Sequence, residues 1–199
     1  MVILYEINKG LYVNMTNRCP CACTFCLRQT RDEMNGSGSL WLEREPSVDE
    51  VKAEFDKFDM SKYDELVFCG FGEPTERLED VVEVAKFAKD KFGIKIRINT
   101  NGMSDLIHKK DTSPSFGVMD VVSISLNTPN KERYYELTRS KFGIEAFDAM
   151  KKFAKNVKNY VGEVILSTVS TTLTKEEEEE CAKICADLGV TYRIRPFEE

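Results

Sequence analysis

Short apolar runs and amphipathic helical patterns alternate along the whole 199-residue chain, and no other feature restricts its fold as tightly. The strand-like runs fall at 10–16, 65–70, 94–99, 121–126, 163–169 and 190–195. Each is short and nearly continuous in apolar character, which suits parallel strands buried on both faces. Helical patterns fill the gaps. Ser47-Val48-Asp49-Glu50 is a capping box, followed by Val51, Phe55 and Phe58 on one face. Leu78, Val81, Val82, Ala85, Ala88 and Phe92 then recur at helical spacing. A short segment near 104–110 and a long helix over about 144–160 come next. The last helix opens on a second box, Thr174-Lys175-Glu176-Glu177, and ends near Gly189.

Strands that alternate with helices, joined by right-handed crossovers, predict an α/β fold: a partial TIM-like (β/α)6 barrel with a mainly parallel sheet. An open doubly wound sheet satisfies the same alternation. In both, a site belongs at the carboxyl ends of the strands. No second domain is visible, so residues 1–199 read as a single domain. The one long loop, 28–46, carries Gly36-Ser37-Gly38-Ser39 and reads as a flap.

Composition narrows the function. The chain is 42% hydrophobic and 31% charged, and no apolar run approaches the roughly 20 residues of a membrane span. Glu6 interrupts the N-terminal stretch where a signal peptide would carry its apolar core, so a cytoplasmic protein without a membrane partner is expected. A net charge of −6 argues against broad nucleic-acid binding. Seven cysteines, an odd number, make a disulfide framework a poor reading. The single histidine, His108, rules out a multi-histidine metal site.

Four of those cysteines lie in "RCPCACTFC": Cys19, Cys21, Cys23 and Cys26. The stretch follows the first predicted strand. Two readings are open. All four thiols could close on a structural zinc, which favours four protein ligands, although C-x-C-x-C-x2-C is crowded for tetrahedral closure. Alternatively Cys19, Cys23 and Cys26, spaced C-x3-C-x2-C, could hold three irons of a cubane cluster and leave the fourth iron open to a ligand. A second motif, Gly70-Phe71-Gly72-Glu73-Pro74, closes the second predicted strand. Gly72 would let the backbone approach a ligand closely, and Glu73 can accept from an ammonium.

The pattern CxxxCxxC, with aromatic Phe25 before the last cysteine and a glycine motif after the second strand, resembles the radical S-adenosylmethionine (radical SAM) superfamily. The resemblance covers nearly the whole chain. It implies one 4Fe-4S cluster on Cys19, Cys23 and Cys26, whose open iron binds SAM. An electron from the cluster then cleaves SAM to a 5′-deoxyadenosyl radical that abstracts hydrogen from a substrate. Such an enzyme would be oxygen-sensitive. It would need an external one-electron donor such as flavodoxin or ferredoxin.

The resemblance also assigns a SAM site. Phe25 would lie near the adenine, and Phe71, Gly72, Glu73 and Pro74 correspond to the family's "GGEP" motif. Asn99 and Asn101 belong to "NTNG", similar to the family's "TNG". Ser125 and Asn127 fall in "SLN", where the family has "SLD". Arg139 resembles a downstream arginine that grips the SAM carboxylate. Within the family, "LYVNMTNRCPCACTFCLRQ", "SLWLEREP", "GFGEPT" and "YRIRPFE" look like the short TatD-linked radical SAM proteins. A peptide or protein substrate and a small-molecule substrate both fit. The remaining cysteines read as packing residues: Cys181 and Cys185 on a core stripe, Cys69 within a strand. His108 reads as solvated. Arg193 and Arg195 share one side of the last strand and meet either an anion inside the barrel or acidic helices outside it.

Overall fold

A computed structural model describes residues 1–196 of the chain. Seven strands form one sheet in their sequence order: β1 (Leu4–Ile7), β2 (Gly10–Val13), β3 (Glu65–Phe68), β4 (Lys95–Thr100), β5 (Val121–Ser125), β6 (Glu163–Val169) and β7 (Thr191–Arg195). From β2 onward every neighbour pair is parallel. The sequence left two sheet types open, and the strand order decides between them. A doubly wound sheet reverses its order at a switch point; here each strand lies beside its predecessor, so the chain winds one way, as a barrel does. Strand β1 was not among the predicted strands. It turns back at Asn8, whose φ of 53° is left-handed, and pairs antiparallel with β2.

Both capping boxes form as read. Ser47 caps α1 (Val48–Glu54) and Thr174 caps α6 (Lys175–Leu188), each with its glutamate reaching back to the cap N–H. Helix α2 (Leu78–Phe92) buries Leu78, Val81, Ala85 and Ala88, then stops at left-handed Gly93. The short segment is α3 (Ser104–His108). The long helix is α5 (Ala146–Val157), shortened at its start because 143–145 winds as a 3-10 turn. Helix α4 (Lys131–Thr138) escaped the sequence reading. Its eight residues bury only Tyr134 and Thr138, which is too sparse a stripe to register as periodic.

Side chains alternate across each strand, so the sheet has two unlike faces. On one, Leu11, Val13, Leu66, Phe68, Ile96, Ile98, Val122, Ile124, Val164 and Leu166 join Val51, Phe55, Val81, Met150, Phe153 and Val157 of the helices in one core. Cys181 and Cys185 belong to it at 0% and 1% exposure, and burial raises their thiols to about 12 and about 11. On the other face, the register aligns Tyr12, Val67, Arg97 and Val121 in one row. It aligns Asn99, Ser123, Ile165 and Thr191 in the next, then Ser125, Ser167 and Arg193. The expectation of strands buried on both faces holds for β3, β5 and β6, where Val67, Val121, Ile165 and Ser167 of this second face are buried; what differs is the polar character of several of its residues. The helix-free, concave face is largely polar.

The loop 28–46, read as a flap, is tied down along its second half. Asn14 donates from Nδ2 to the Leu40 carbonyl at 2.8 Å, and Asn17 both donates to the Leu42 carbonyl and accepts its N–H. Leu40 is 1% exposed beside Tyr5 and Phe71 in a small second core. Among the described residues no helix is long and apolar enough to cross a membrane.

Candidate functional site at the carboxyl ends of the strands

The cysteine loop leaves the carboxyl end of β2. Cys19, Cys23 and Cys26 are half-buried free thiols, whereas Cys21 is turned into the core. The Cys21 sulfur lies 3.8 Å from Met103 Sδ and 3.9 Å from Asn101 Nδ2. Its hydrogen bonds to Cys19 and Cys23 draw both of those thiols below their ordinary value and push Cys21 far above it. Burial raises the Cys26 thiol. The loop thus divides its sulfurs into three outward and one inward. No group of three or more His, Cys, Asp or Glu side chains among the described residues is arranged to hold one metal ion. A cubane places no such demand, because each cysteine binds a separate iron. Three accessible thiols on one short loop fit that donor set.

The loop is held mainly by the chain that ends α4. Ala22 N–H donates to the Thr138 carbonyl at 3.0 Å and Thr24 N–H to Leu137 at 2.9 Å; Lys141 N–H returns to the Pro20 carbonyl at 2.8 Å. Arg28 gathers the carbonyls of Asn17, Cys21 and Phe71. No motif in the sequence announces the α4 anchor, since it consists of backbone groups that over 110 residues separate from the loop in the case of Thr24 and Leu137.

Glu73 is 4% exposed and saturated from within. It accepts from the Thr75 N–H at 3.1 Å, the Thr75 hydroxyl at 2.7 Å, the Thr100 hydroxyl at 2.7 Å and the Asn101 N–H at 2.8 Å. Burial outweighs these donors and holds its carboxyl above the usual value. Glu73 therefore clamps the glycine turn to the end of β4, and Thr75 and Thr100 are its unforeseen partners. Gly72 also serves the fold. A methyl there would sit 2.1 Å from the Thr16 carbonyl oxygen and 2.7 Å from that of Arg18, so the glycine admits the chain entering the cysteine loop. Pro74 opens a 3-10 turn and is buried. Phe71 is 7% exposed, covered by Trp41 of the loop 28–46 at a ring separation of 5.2 Å.

The remaining predicted residues divide. Asn99 lies on the concave face, where its Oδ1 accepts from Arg97 at 2.8 Å and its amide meets the Cys69 thiol. Asn101 spends its Oδ1 on the Met103 N–H at 2.9 Å. Ser125 is half-buried on the concave face beside Ser167. Asn127 holds φ at 65° and Arg139 at 45°, both left-handed; Arg139 caps α4 and is exposed next to the cysteine-loop anchor. Phe25 projects at the rim, 49% exposed. His108 is not simply solvated: its Nε2 lies 2.7 Å from the Thr75 carbonyl, bracing the glycine turn. Arg193 and Arg195 fall on the concave side, in register with Ser167 and Val169.

The Radical SAM superfamily profile matches residues 13–188, from the end of β2 through α6. The chain belongs to the radical SAM superfamily. Radical SAM proteins work with a 4Fe-4S cluster and S-adenosylmethionine, the two cofactors that the cysteine spacing and glycine motif imply. Among named relatives, the GTP 3′,8-cyclase of Corynebacterium glutamicum is 31% identical over 141 residues, covering 67% of this chain and 35% of the cyclase. A Methanocaldococcus jannaschii protein provisionally named a glycyl-radical enzyme activating enzyme is 28% identical over 188 residues, covering 90% of this chain and 70% of its own. The fold is similar to that of Streptococcus suis SuiB bound to its precursor peptide SuiA. The TM-score is 0.71 at 18% identity, over 98% of this chain and 41% of SuiB. The chain spans only about a third of the cyclase's length.

Proposed function

We propose that this radical SAM protein is an enzyme that reductively cleaves SAM and abstracts hydrogen from a substrate. The observation that carries the reading is the division of the cysteine loop: three accessible thiols at Cys19, Cys23 and Cys26, with Cys21 withdrawn into the core. When bound, the reduced cluster supplies the electron that converts SAM to methionine and a 5′-deoxyadenosyl radical. The chain's own residues hold and orient. Arg28 and the α4 tail fix the loop, and Glu73 fixes the glycine turn beside it. Asn99, Ser125 and Asn127 offer polar groups along the strand ends for the nucleoside, with Phe25 at the rim for the adenine and Arg139 near the carboxylate. Phe71, Gly72, Pro74 and Asn101 shape the backbone around that site.

On this reading residues 1–199 form a single cytoplasmic domain of the TatD-linked type, fed by an external one-electron donor. Of the four segments that suggest that type, "YRIRPFE" lies partly outside the described residues. A peptide or protein substrate is favoured by the similarity to peptide-bound SuiB and to the activating-enzyme relative. Small-molecule chemistry is the second reading, favoured by the similarity to the cyclase.

Anaerobic reconstitution with iron and sulfide, followed by reduction and SAM addition, tests the proposal. The expected result is iron–sulfur absorption and release of 5′-deoxyadenosine. Neither appearing in correctly folded protein would overturn it.

A further inference from the structure

The concave face carries three arginines, and they are not alike. Arg97, on β4, is neutralised. It donates to both Glu65 oxygens at 3.0 and 2.5 Å and to Asn99 Oδ1 at 2.8 Å, and its guanidinium lies 6.0 Å from the Tyr12 ring centre. Arg193 and Arg195, on β7, have no acidic partner among the described residues. Arg195 is the more telling, because its Nε is shut off from solvent and bonded to nothing. A buried guanidinium N–H without an acceptor is costly to hold and calls for an explanation.

We propose that Arg193 and Arg195 form an anion subsite for the substrate, one that takes a carboxylate or phosphate group. The register puts Arg193 level with Ser167 and Ser125, and Arg195 one step nearer the strand ends, level with Val169. Arg193 thus lies two strands, roughly 10 Å, from Ser125. Arg195 leans over the concave face: its charge, with that of Arg97, acts on the Cys69 thiol at the end of β3, opposing the burial that raises it. Two guanidinium forks on adjacent same-face positions, Arg193 exposed and Arg195 half-buried with its Nε shut off from solvent, are built for an oxyanion, which guanidinium binds bidentately. The rest of this face supplies hydroxyls and amides from Ser125, Ser167 and Asn99, and the carboxylate of Glu163, four residues back along β6 from Ser167 and level with Val121, accepts from the Thr191 hydroxyl at 3.2 Å. Glu65, another acid of this face, is held by Arg97. The subsite stands on the flank of the open sheet opposite the cysteine loop. A substrate anchored there by its anion would extend across β6 and β5 toward β2. The inference rests on the concave face being the reaction chamber.

Titration calorimetry of the full chain with pyrophosphate and with citrate tests it without cluster or SAM. The expected result is one-site binding of at least one anion, weakened about tenfold or more in Arg193→Gln and in Arg195→Gln. Arg195→Lys should retain part of the affinity. Lys9→Gln, at the exposed turn at the other end of the sheet, should retain all of it. Phenylglyoxal labelling of the wild-type protein, read by mass spectrometry, adds a measurement that no variant's folding can confuse: the anion should protect Arg193 and Arg195 but not exposed Arg133. The proposal is overturned by the absence of binding, by unchanged affinity in both glutamine variants, by an equal loss in Lys9→Gln, or by labelling that the anion does not alter. It is also overturned if both glutamine variants lose SAM affinity in equal measure, which would assign the pair to the SAM carboxylate. Because the titration needs neither cofactor, failure of SAM cleavage with the anion site intact strikes the enzymatic reading alone. Intact cleavage without an anion site strikes only this inference.

Discussion

The Cys21 sulfur lies 3.8 Å from the thioether sulfur of Met103, in the core beneath the cysteine loop. That contact places one of four clustered thiols inside the protein while the other three face outward. Substituting Cys21 by Ala should therefore leave the cluster intact: iron and sulfide content should match wild type. The variant should lose about 1 kcal/mol of stability, the cost of one buried heavy atom and the small void it leaves. Cys19→Ala, Cys23→Ala and Cys26→Ala should each lose the cluster. A Cys21→Ala protein without iron–sulfur absorption would mean that the wrong three thiols are assigned.

Gly72→Ala should disrupt the fold and the cysteine loop together. The added methyl meets backbone oxygens of Thr16 and Arg18, which cannot swing aside as a side chain would. A loss of about 3 kcal/mol or more is expected, because overpacking here moves main chain. Thermal melting and cluster yield would report it. Normal values for both would show that the turn has room the geometry denies.

Glu73→Gln replaces an oxygen that accepts a donor with an amide nitrogen that cannot. At least one buried N–H or hydroxyl of Thr75, Thr100 or Asn101 is left without a partner, at a cost of about 1–3 kcal/mol. The pH dependence has a definite sign. Because the folded carboxyl sits above its unfolded value of about 4.3, its protonated form is favoured by folding. That contribution is full below the unfolded value and is lost as pH rises through the folded one. The wild type's stability margin over Glu73→Gln should narrow as the pH is raised from about 4 toward neutrality. Urea unfolding of both proteins across that range measures it; a margin that widens would contradict the burial argument.

Asn127 stands at φ 65°, where most side chains are strained. Asn127→Gly should fold as well as wild type, and Asn127→Val should lose about 1–2 kcal/mol. If the Asn127 side chain serves SAM, the glycine variant will bind SAM more weakly with its melting temperature unchanged. Equal SAM affinity in wild type and Asn127→Gly would reduce the residue to a turn former.

Much of the frame was legible from the residues alone. The six parallel strands, both capping boxes and the core cysteines of α6 follow from local periodicity and end signals, which depend on neighbours a few residues apart. The cysteine triplet and glycine motif were legible for the same reason. What the tertiary structure decided lies in long-range pairing. Singly wound strand order excluded the doubly wound alternative, and the α4 tail anchored the cysteine loop by backbone bonds that no side-chain pattern encodes. Strand parity separated a polar concave face from an apolar one, although most of the strand-like runs look uniformly apolar. Glu73 and Gly72 are the sharpest case. In the chain they are two letters of a motif that suggests contact with a ligand. In the fold they lock β4 and the cysteine loop to one turn, because burial leaves the carboxylate four donors to satisfy and the glycine no space for a methyl.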